Sequence, residues 1–318
     1  MSVVRLAGET NTGRKRRRNE DSYVKAPPLF AVADGMGGAQ AGEVASKLAA
    51  AALEDTDHGL LRGEEGVVAL IQEANRRVYE RSNEDPTASG MGTTMTLALV
   101  EDSVVRIGHV GDSRAYLIRD GKMEQLTEDH SLVNELMKSG KLSAKEAETH
   151  PQRSVITRAL GTDPDVDVDT YSLDTRPGDL FLLCSDGLTS MVPEETILDV
   201  LERHRNDLDL AVRKLIDAAN KGGGEDNITV IAFEIGDEDL EATRPMRAAA
   251  DSGPDDEDTL DGIPAPVDTM IVRPEEIEGF QRAGAPEELP IGPRLRLIWT
   301  MVLLFGLAVG LLAWGLLR

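Results

Sequence analysis

Several short apolar segments that adjoin an acidic residue constrain the fold of this chain more than any other feature. Each segment has the length and the aliphatic or aromatic composition of one β-strand. The end of a strand holds a carboxylate rigidly, and an adjoining glycine lets the backbone turn closely. The segments and their acidic neighbours are 29–33 before Asp34-Gly35, 104–110 before Gly111-Asp112, 180–184 before Ser185-Asp186-Gly187, and 228–231 after Asp226-Asn227.

The other patterns predict an antiparallel sheet core covered by helices. Tight turns at Glu101-Asp102 and Asp120-Gly121 join consecutive strands, which is typical of hairpins. The mixture favours an α/β protein of the α+β type over a doubly wound parallel sheet. The predicted strands are 29–33, 93–100, 104–110, 115–118, 179–184 and 228–235, and the segments with helical spacing of apolar residues are 41–53, 64–81, 194–204 and 207–221.

Carboxylates in this arrangement suit hard divalent cations. Mg²⁺ and Mn²⁺ prefer oxygen ligands and retain several waters. One Asp-Gly after a strand is most often only a turn. Here the form recurs at Asp34, Asp112 and Asp186, and Asp226 precedes a further strand. The recurrence therefore indicates a divalent metal site.

A series of motifs extends through residues 5–236. It consists of Arg16, Asn19-Glu20-Asp21, 34–38, Gly92-Thr93-Thr94, 111–114, Ser185-Asp186-Gly187 and Asp226-Asn227. This series resembles the metal-dependent protein phosphatases of the type 2C class, especially their bacterial serine/threonine members. The resemblance implies a central β-sandwich of two antiparallel sheets flanked by helices. It also implies hydrolysis of phosphoserine and phosphothreonine on proteins with Mn²⁺ or Mg²⁺.

The resemblance also assigns metal-binding roles to individual residues. Asp34 is expected to bridge two ions, and the carbonyl of Gly35 to bind one of them. Asp186 and Asp226 are expected to ligate the second ion. Asp112, with Asp186, resembles the pair that holds a third, weaker ion in bacterial members.

Further residues of the series are expected to support the metals and the phosphate. Glu20 and Asp21 would order metal-bound waters, with Asn227 assisting. Arg16 matches the arginine that grips the phosphate, since a guanidinium can bind a phosphate dianion at two points. The crowded neighbours of Arg16 in the basic run 14–18 make this assignment depend on the register of the motif.

One departure from the family pattern concerns the acid that protonates the leaving group. Animal members often carry His directly after the Asp-Gly pair, whereas this chain has Met36. We expect water to supply the proton, and His130 is the second candidate because it follows 127–129 at the start of a predicted helix.

Two ions about 3.5–4 Å apart lower the pKa of a shared water, so that hydroxide forms near neutral pH and can attack phosphorus directly. Cys184 lies in an apolar strand and is predicted to be a core residue rather than a nucleophile.

Two loops between the motifs also carry predictions. The alternating segment 163–169 resembles the opening of an EF-hand, but Val168 stands where that loop needs glycine. We therefore predict an exposed strand there. The polar stretch between Ser139 and Gly161 corresponds to the family's mobile flap, and it is also typical of an exposed helix and loop.

Charge excludes one class of partner. The formal net charge of −23 disfavours nucleic acid, whose phosphates require clustered basic residues over a broad surface. Residues 237–293 contain sixteen acidic and four basic side chains, so they are predicted to form an acidic disordered linker. A recruitment site within that linker is an alternative to a plain spacer.

The carboxyl-terminal segment is predicted to be a membrane anchor. Residues 297–317 contain no charged residue, and about 20 apolar residues cross a bilayer. Arg294 and Arg296 precede the segment, which predicts a single-pass helix with the preceding chain in the cytoplasm. The alternative is a buried helix of a soluble domain. The predicted divisions are a phosphatase domain at 1–236, the linker at 237–293 and the anchor at 294–318.

These expectations combine into a cell-membrane serine/threonine phosphatase that opposes kinase signalling. Its predicted partners are phosphorylated proteins, including a membrane kinase in the same plane. One alternative is a catalytically inactive homologue that binds phosphoproteins as an adaptor. Another is a dedicated regulator acting on one anti-sigma-factor antagonist.

Overall fold

The computed structural model describes residues 1–37, 41–56, 62–147, 150–237 and 270–271. Within these residues, none of the helices combines the length and the apolar character needed to cross a membrane. The predicted anchor lies outside the described residues, as does the predicted linker apart from Asp237 and Met270–Ile271.

The described elements alternate between short strands and helices. The strands are β1 (Ser2–Asn11), β2 (Asp21–Ala26), β3 (Leu29–Met36), β4 (Gly92–Thr93), β5 (Met95–Glu101), β6 (Val104–Val110), β7 (Arg114–Arg119), β8 (Lys122–Gln125), β9 (Val155–Ile156), β10 (Asp169–Asp174), β11 (Leu180–Cys184), β12 (Ile228–Gly236) and β13 (Met270–Ile271). The helices are α1 (Ala41–Glu54), α2 (Gly63–Glu84), α3 (Leu132–Lys138), α4 (Ala144–Ala147), α5 (Asp186–Thr189), α6 (Glu194–Arg203) and α7 (Leu208–Gly222).

Two antiparallel sheets form the centre of the fold. The first has the strand order β1-β12-β11-β7-β8, and the second has the order β10-β6-β5-β3-β2, with β4 paired to β3. Asp102 and Asp120 adopt left-handed backbone conformations with φ of 53° in the two hairpin turns. Short polar residues such as aspartate tolerate this conformation, which matches the twist of a hairpin.

Aromatic rings from both sheets meet in the core between them. Phe30 of the second sheet stacks on Phe233 of the first with ring centroids 4.3 Å apart. Phe181 lies on the other side of Phe233 at 5.1 Å. All three side chains are fully buried. Stacked aromatic burial of this kind fixes the spacing of the sheets.

Helices cover the outer face of each sheet. The apolar faces of α1 and α2 pack on the second sheet, in a cluster that includes Leu53, Leu70 and Leu97. The faces of α6 and α7 pack on the first sheet, in a cluster that includes Leu215 and Leu182. The layers therefore follow the order helix, sheet, sheet, helix.

The predicted fold class is confirmed for the described residues. Cys184 is buried as predicted, and burial raises the pKa of its thiol to about 12. The predicted exposed strand at 163–169 is wrong, because the strand begins only at Asp169. Val166 turns inward and joins the core cluster under α2, which pulls this segment out of an extended edge. The predicted strand 93–100 is divided, since Thr94 separates β4 from β5.

Truncation of Phe233 tests the inter-sheet core. We expect Phe233→Ala to lower the free energy of unfolding by about 3–5 kcal/mol, because the cavity loses stacking on both sides. This corresponds to a fall in Tm of roughly 10 °C for a domain of this size. The control is Val44→Ala at a residue 36% exposed on α1, which should shift stability by less than about 0.5 kcal/mol. Equal effects of the two variants in thermal unfolding would contradict this packing.

Candidate metal centre

Acidic residues from both sheets converge at one end of the sandwich. Asp34 near the end of β3 is the cross-strand partner of Asp21 at the start of β2. Asp186 begins α5 directly after β11, and Asp226 lies just before β12. The charges of Asp21, Asp186, Asp226 and Asp112 all raise the pKa of Asp34. The structure thus brings the predicted aspartates into one electrostatic cluster.

Asp21 joins the two sheets through hydroxyl groups. Ser185 Oγ donates to Asp21 Oδ2 at 2.9 Å, and Thr229 Oγ1 donates to the same oxygen at 2.6 Å. Burial raises the pKa of Asp21 to about 6, although both hydrogen bonds act in the opposite direction. The second oxygen, Oδ1, is buried and has no hydrogen-bond partner within the described residues. One face of this carboxylate is therefore held by protein, and the other is left for another ligand.

The loop at Asp34-Gly35 is fixed by close backbone packing. Thr94 Oγ1 accepts from the Asp34 N–H at 2.9 Å, and the Asp34 carbonyl accepts from Thr94 N–H at 2.8 Å. A Cβ on Gly35 would lie 2.1 Å from Gly42 O and 2.5 Å from Glu20 O. No side chain fits there, because real Cβ contacts of this kind exceed about 3 Å. Glycine at this position lets the chain segments carrying Glu20 and Asp34 approach each other.

Burial and mutual repulsion disfavour the charged forms of the clustered carboxylates. Burial and the surrounding aspartates raise the pKa values of Asp34 and Asp186 well above their usual range. Burial raises the pKa of Asp112 to about 7, with a further contribution from the charge of Asp129. Asp186 Oδ1 is buried without a hydrogen-bond partner among the described residues. A cluster of oxygen ligands with unsatisfied atoms and excess negative charge fits divalent cations.

Arg16 occupies the mouth of this cluster. Its Nη2 lies 2.9 Å from Asp226 Oδ2, and both side chains are largely shielded from solvent. The predicted phosphate-binding guanidinium and a predicted metal ligand are therefore in direct contact. Within the described chain, no group of three His, Cys, Asp or Glu side chains already forms a complete metal-binding set. This contact places a guanidinium, which can bind a phosphate, beside a carboxylate that can bind a cation.

Asn227 acts on the basic turn that carries Arg16. Its Oδ1 accepts from the Glu20 N–H at 2.8 Å, and its Nδ2 donates to the carbonyls of Thr12 and Arg18 at 2.9 Å each. These bonds attach the turn to the start of β12. The role of ordering water, which the sequence suggested for Glu20, Asp21 and Asn227, stays a prediction.

His130 contacts the backbone at Gly111, next to Asp112. Its Nδ1 accepts from the Gly111 N–H at 3.0 Å, and its Nε2 lies 3.1 Å from Asp169 Oδ2 and 3.0 Å from Arg158 Nη1. Burial and the charge of Arg158 lower the pKa of the imidazole. Nδ1 thus holds the backbone before Asp112 and Nε2 is engaged by Asp169 and Arg158, so neither nitrogen is available to a leaving group in this arrangement.

Two recesses lie against the cluster. The smaller one is lined by Arg16, Glu20, 34–37 and Asp226. The larger is a cleft of about 830 Å³, and its lining includes Asp112 and Asp186 together with Arg153 and Ser154 of the flap. Arg153 lies 3.8 Å from Glu225, the neighbour of Asp226. The flap is therefore a wall of the cleft that leads to the carboxylates.

Sequence reasoning missed the hydroxyl groups that hold the carboxylates. Ser185 and Thr229 bind Asp21, and Thr93 Oγ1 donates to the Asp34 carbonyl at 2.9 Å. Two of these hydroxyl groups could have been found from the sequence, since Ser185 and Thr93 lie within the motifs given above. Thr229 could not, because a β-branched residue in a strand is ordinary.

Comparison with known proteins identifies the family. The model of the family described as Protein phosphatase 2C matches residues 13–216. The chain belongs to the protein phosphatase 2C family. The serine/threonine protein phosphatase PstP of Mycobacterium tuberculosis is 40% identical over 277 residues, which cover 86% of this chain and 53% of PstP. This chain thus spans about half the length of PstP.

Two further relatives cover the catalytic part more completely. The serine/threonine phosphatase stp of Listeria monocytogenes is 43% identical over 236 residues, covering 71% of this chain and 93% of that protein. A solved catalytic domain of PstP in complex with two manganese ions has a TM-score of 0.69 and 37% identity, and covers 74% of this chain and 100% of that domain. The phosphatase 2C part of this chain therefore corresponds to whole catalytic domains.

The substitution Asp34→Asn tests how far repulsion among the buried carboxylates destabilises the fold. The pKa values of Asp34 and Asp186 are raised in the folded, metal-free protein, so these groups still hold protons that the unfolded chain has already released. Its stability therefore falls as pH rises above about 4. We expect Asp34→Asn to reduce this dependence and to raise the metal-free Tm at pH 7.5 by roughly 5 °C, by relieving repulsion.

The same variant should respond differently to metal. Mn²⁺ should raise the Tm of the wild-type protein and leave that of Asp34→Asn nearly unchanged. The control is Asp165→Asn in an exposed loop, which should behave like wild type in differential scanning fluorimetry. A lower metal-free Tm for Asp34→Asn together with a retained Mn²⁺ response would contradict the arrangement.

Proposed function

We propose that this chain is a metal-dependent protein serine/threonine phosphatase that uses Mn²⁺ or Mg²⁺. The observation that carries the proposal is the buried cluster around Asp34, in which burial and the charges of Asp21, Asp186, Asp226 and Asp112 raise the pKa of Asp34 well above its usual range. Such a cluster is suited to cations rather than to a nucleophilic side chain. Relatives named as serine/threonine phosphatases, including a PstP domain with two manganese ions, support the same activity.

The residues around the smaller recess would bind two kinds of ligand, with the carboxylates holding cations and Arg16 holding phosphate. Asp34, the Gly35 carbonyl, Asp186 and Asp226 would hold two ions, and Asp112 with Asp186 a third, weaker one. When bound, a pair of divalent ions makes water more acidic and screens the charge of the phosphoryl oxygens. Arg16, released from Asp226, would orient the phosphate through paired hydrogen bonds.

Hydrolysis in this site requires one bond to form and one to break. The oxygen of water bonds to phosphorus as the bond from phosphorus to the serine or threonine oxygen breaks. The attacking water leaves one proton on the phosphate product and gives up the other, and the departing oxygen gains one proton from water, since both nitrogens of His130 are engaged by Gly111, Asp169 and Arg158. A polypeptide carrying the phosphate would lie in the cleft between Asp186 and Arg153 of the flap.

We also propose that the protein acts at the cell membrane. The support is the apolar run at 297–317 after an acidic segment. A tether would confine the phosphatase to the plane of membrane substrates and raise their local concentration. A membrane serine/threonine kinase is the partner that this placement favours. Fractionation of cells should place the full chain with membranes and a chain ending at residue 293 in the soluble fraction.

Phosphatase activity is tested with a phosphothreonine peptide and varied metal. We expect Mn²⁺-dependent release of phosphate, and its loss on chelation. Arg16→Ala should lower kcat/KM by roughly 10²-fold, mainly through KM, because a charge-assisted phosphate contact is removed. Arg16→Lys should recover only part of this loss, since lysine lacks the planar fork.

The matched control is Arg17→Ala, which removes an exposed arginine from the same basic run. It should retain nearly wild-type kcat/KM. A protein that binds the peptide with Mn²⁺ but releases no phosphate would instead be an adaptor. Equal losses in Arg16→Ala and Arg17→Ala would remove Arg16 from its assigned role.

A further inference from the structure

A segment of the acidic region contributes a strand beside the flap. Strand β13 pairs in parallel with β9, with Met270 opposite Val155 and Ile271 opposite Ile156. In the sequence, Met270-Ile271-Val272 is a run of large apolar residues within a stretch rich in acidic residues, proline and glycine. Main-chain pairing at a sheet edge is a common way of binding an extended polypeptide. The edge of β9 is therefore able to accept a strand.

The opposite edge of β9 is attached to the catalytic domain. Ile156 forms an antiparallel bridge with Ser131, and Thr157 N–H donates to His130 O at 2.8 Å. A strand residue pairs with its two neighbours on opposite edges. Since Ile156 also pairs with Ile271, β13 lies on the edge of β9 that faces away from Ser131.

The chain after β9 leads directly to the metal cluster. Ile156 packs with Met36 and Ala159 in one buried group. Leu160 exchanges two backbone hydrogen bonds with Thr93, at 3.1 and 2.9 Å. Thr93 Oγ1 in turn donates to the carbonyl of Asp34. These contacts hold the chain after β9 against the loop that carries Asp34 without any contribution from β13, so loss of β13 is expected to leave that loop in place.

The chain before β9 forms part of the cleft. Arg153 and Ser154, which immediately precede Val155, line the same cleft as Asp112 and Asp186. A strand that pairs with Val155 and Ile156 restrains this part of the lining. Among the described residues, none of the flap lines the smaller recess at Arg16. A restraint on the flap should therefore hinder binding of protein substrates, which need the larger cleft, and leave binding of small phosphate esters unchanged.

We propose that the edge of β9 facing away from Ser131 is a docking site for an extended strand whose occupant is the chain's own Met270–Ile271, and that this contact restrains the flap and limits entry of protein substrates. The effect on substrates rests on the proposed phosphatase function. A covalent tether gives the segment a local concentration in the millimolar range. Pairing over so few residues is weak enough to be reversible, so the contact acts as an adjustable restraint.

The test uses the full chain and a matched pair of linker variants. M270P/I271P removes the backbone donors of β13, because proline has no N–H. A249P/A250P makes the same change elsewhere in the acidic region. Hydrogen–deuterium exchange is measured at the amide of Ile156, because the Val155 N–H donates to Gln152 O instead. The ratio kcat/KM is measured with Mn²⁺ on phosphocasein and on p-nitrophenyl phosphate.

We expect M270P/I271P to accelerate exchange at Ile156 by roughly tenfold, since an edge strand loses its partner. Its kcat/KM on phosphocasein should rise roughly threefold, with p-nitrophenyl phosphate unchanged, because the flap wall is released. A249P/A250P should match wild type in all three measurements. Faster exchange without a change on phosphocasein would overturn the restraint on substrates.

Unchanged exchange in M270P/I271P would overturn the docking itself. Protection that persists and rises with protein concentration would indicate that a second copy occupies the edge instead. If none of the three proteins hydrolysed p-nitrophenyl phosphate, the phosphatase function would fail, and the exchange data would still decide whether Met270–Ile271 docks on β9.

Discussion

Repulsion between carboxylates buried at one end of the sandwich is the constraint on which the site depends. Asp34 and Asp186 are held where burial and neighbouring charge raise their pKa values. The apolar core has to supply the free energy for this, because an isolated buried charge is unfavourable. Stacking of Phe233 between two rings fixes the sheets, and hydroxyl bonds to Asp21 align their ends. Packing of the apolar core and the hydrogen bonds to Asp21 thus hold together carboxylates whose mutual repulsion would otherwise separate them.

The same repulsion explains why Arg16 has two uses. In the present arrangement its guanidinium pairs with Asp226 and offsets part of the negative charge. Divalent cations bound to the carboxylates would offset more of the negative charge than Arg16 does, since each carries two positive charges and would lie closer to the oxygens. With cations bound, the proposed role of Arg16 is to bind a phosphate dianion. The ion pair between Arg16 and Asp226 would then couple metal binding to substrate binding, and the proposed contact of β13 with β9 would act separately on access to the cleft.

The sequence allowed the fold class and the convergence of the aspartates to be predicted, because both depend on local patterns. Apolar runs ending in Asp-Gly are visible without coordinates, as at Asp34 and Asp186. The hydroxyl of Thr229 and the pairing of Ile271 with β9 depend on contacts between distant segments, which periodicity does not record. The predicted exposed strand at 163–169 was wrong for the same reason. Alternation of Asp and Val there does not distinguish a strand from a loop whose Val166 packs in the core.

The most direct test of the account is a crystal structure with Mn²⁺, with anomalous diffraction measured at the manganese absorption edge. Two strong peaks are expected next to Asp34, one of them near the Gly35 carbonyl, with Asp186 and Asp226 as further ligands. The distance between Arg16 and Asp226 is expected to be longer than in the metal-free arrangement. Anomalous peaks located elsewhere, or a cluster that stays free of manganese while the Arg16–Asp226 pair remains closed, would contradict the account.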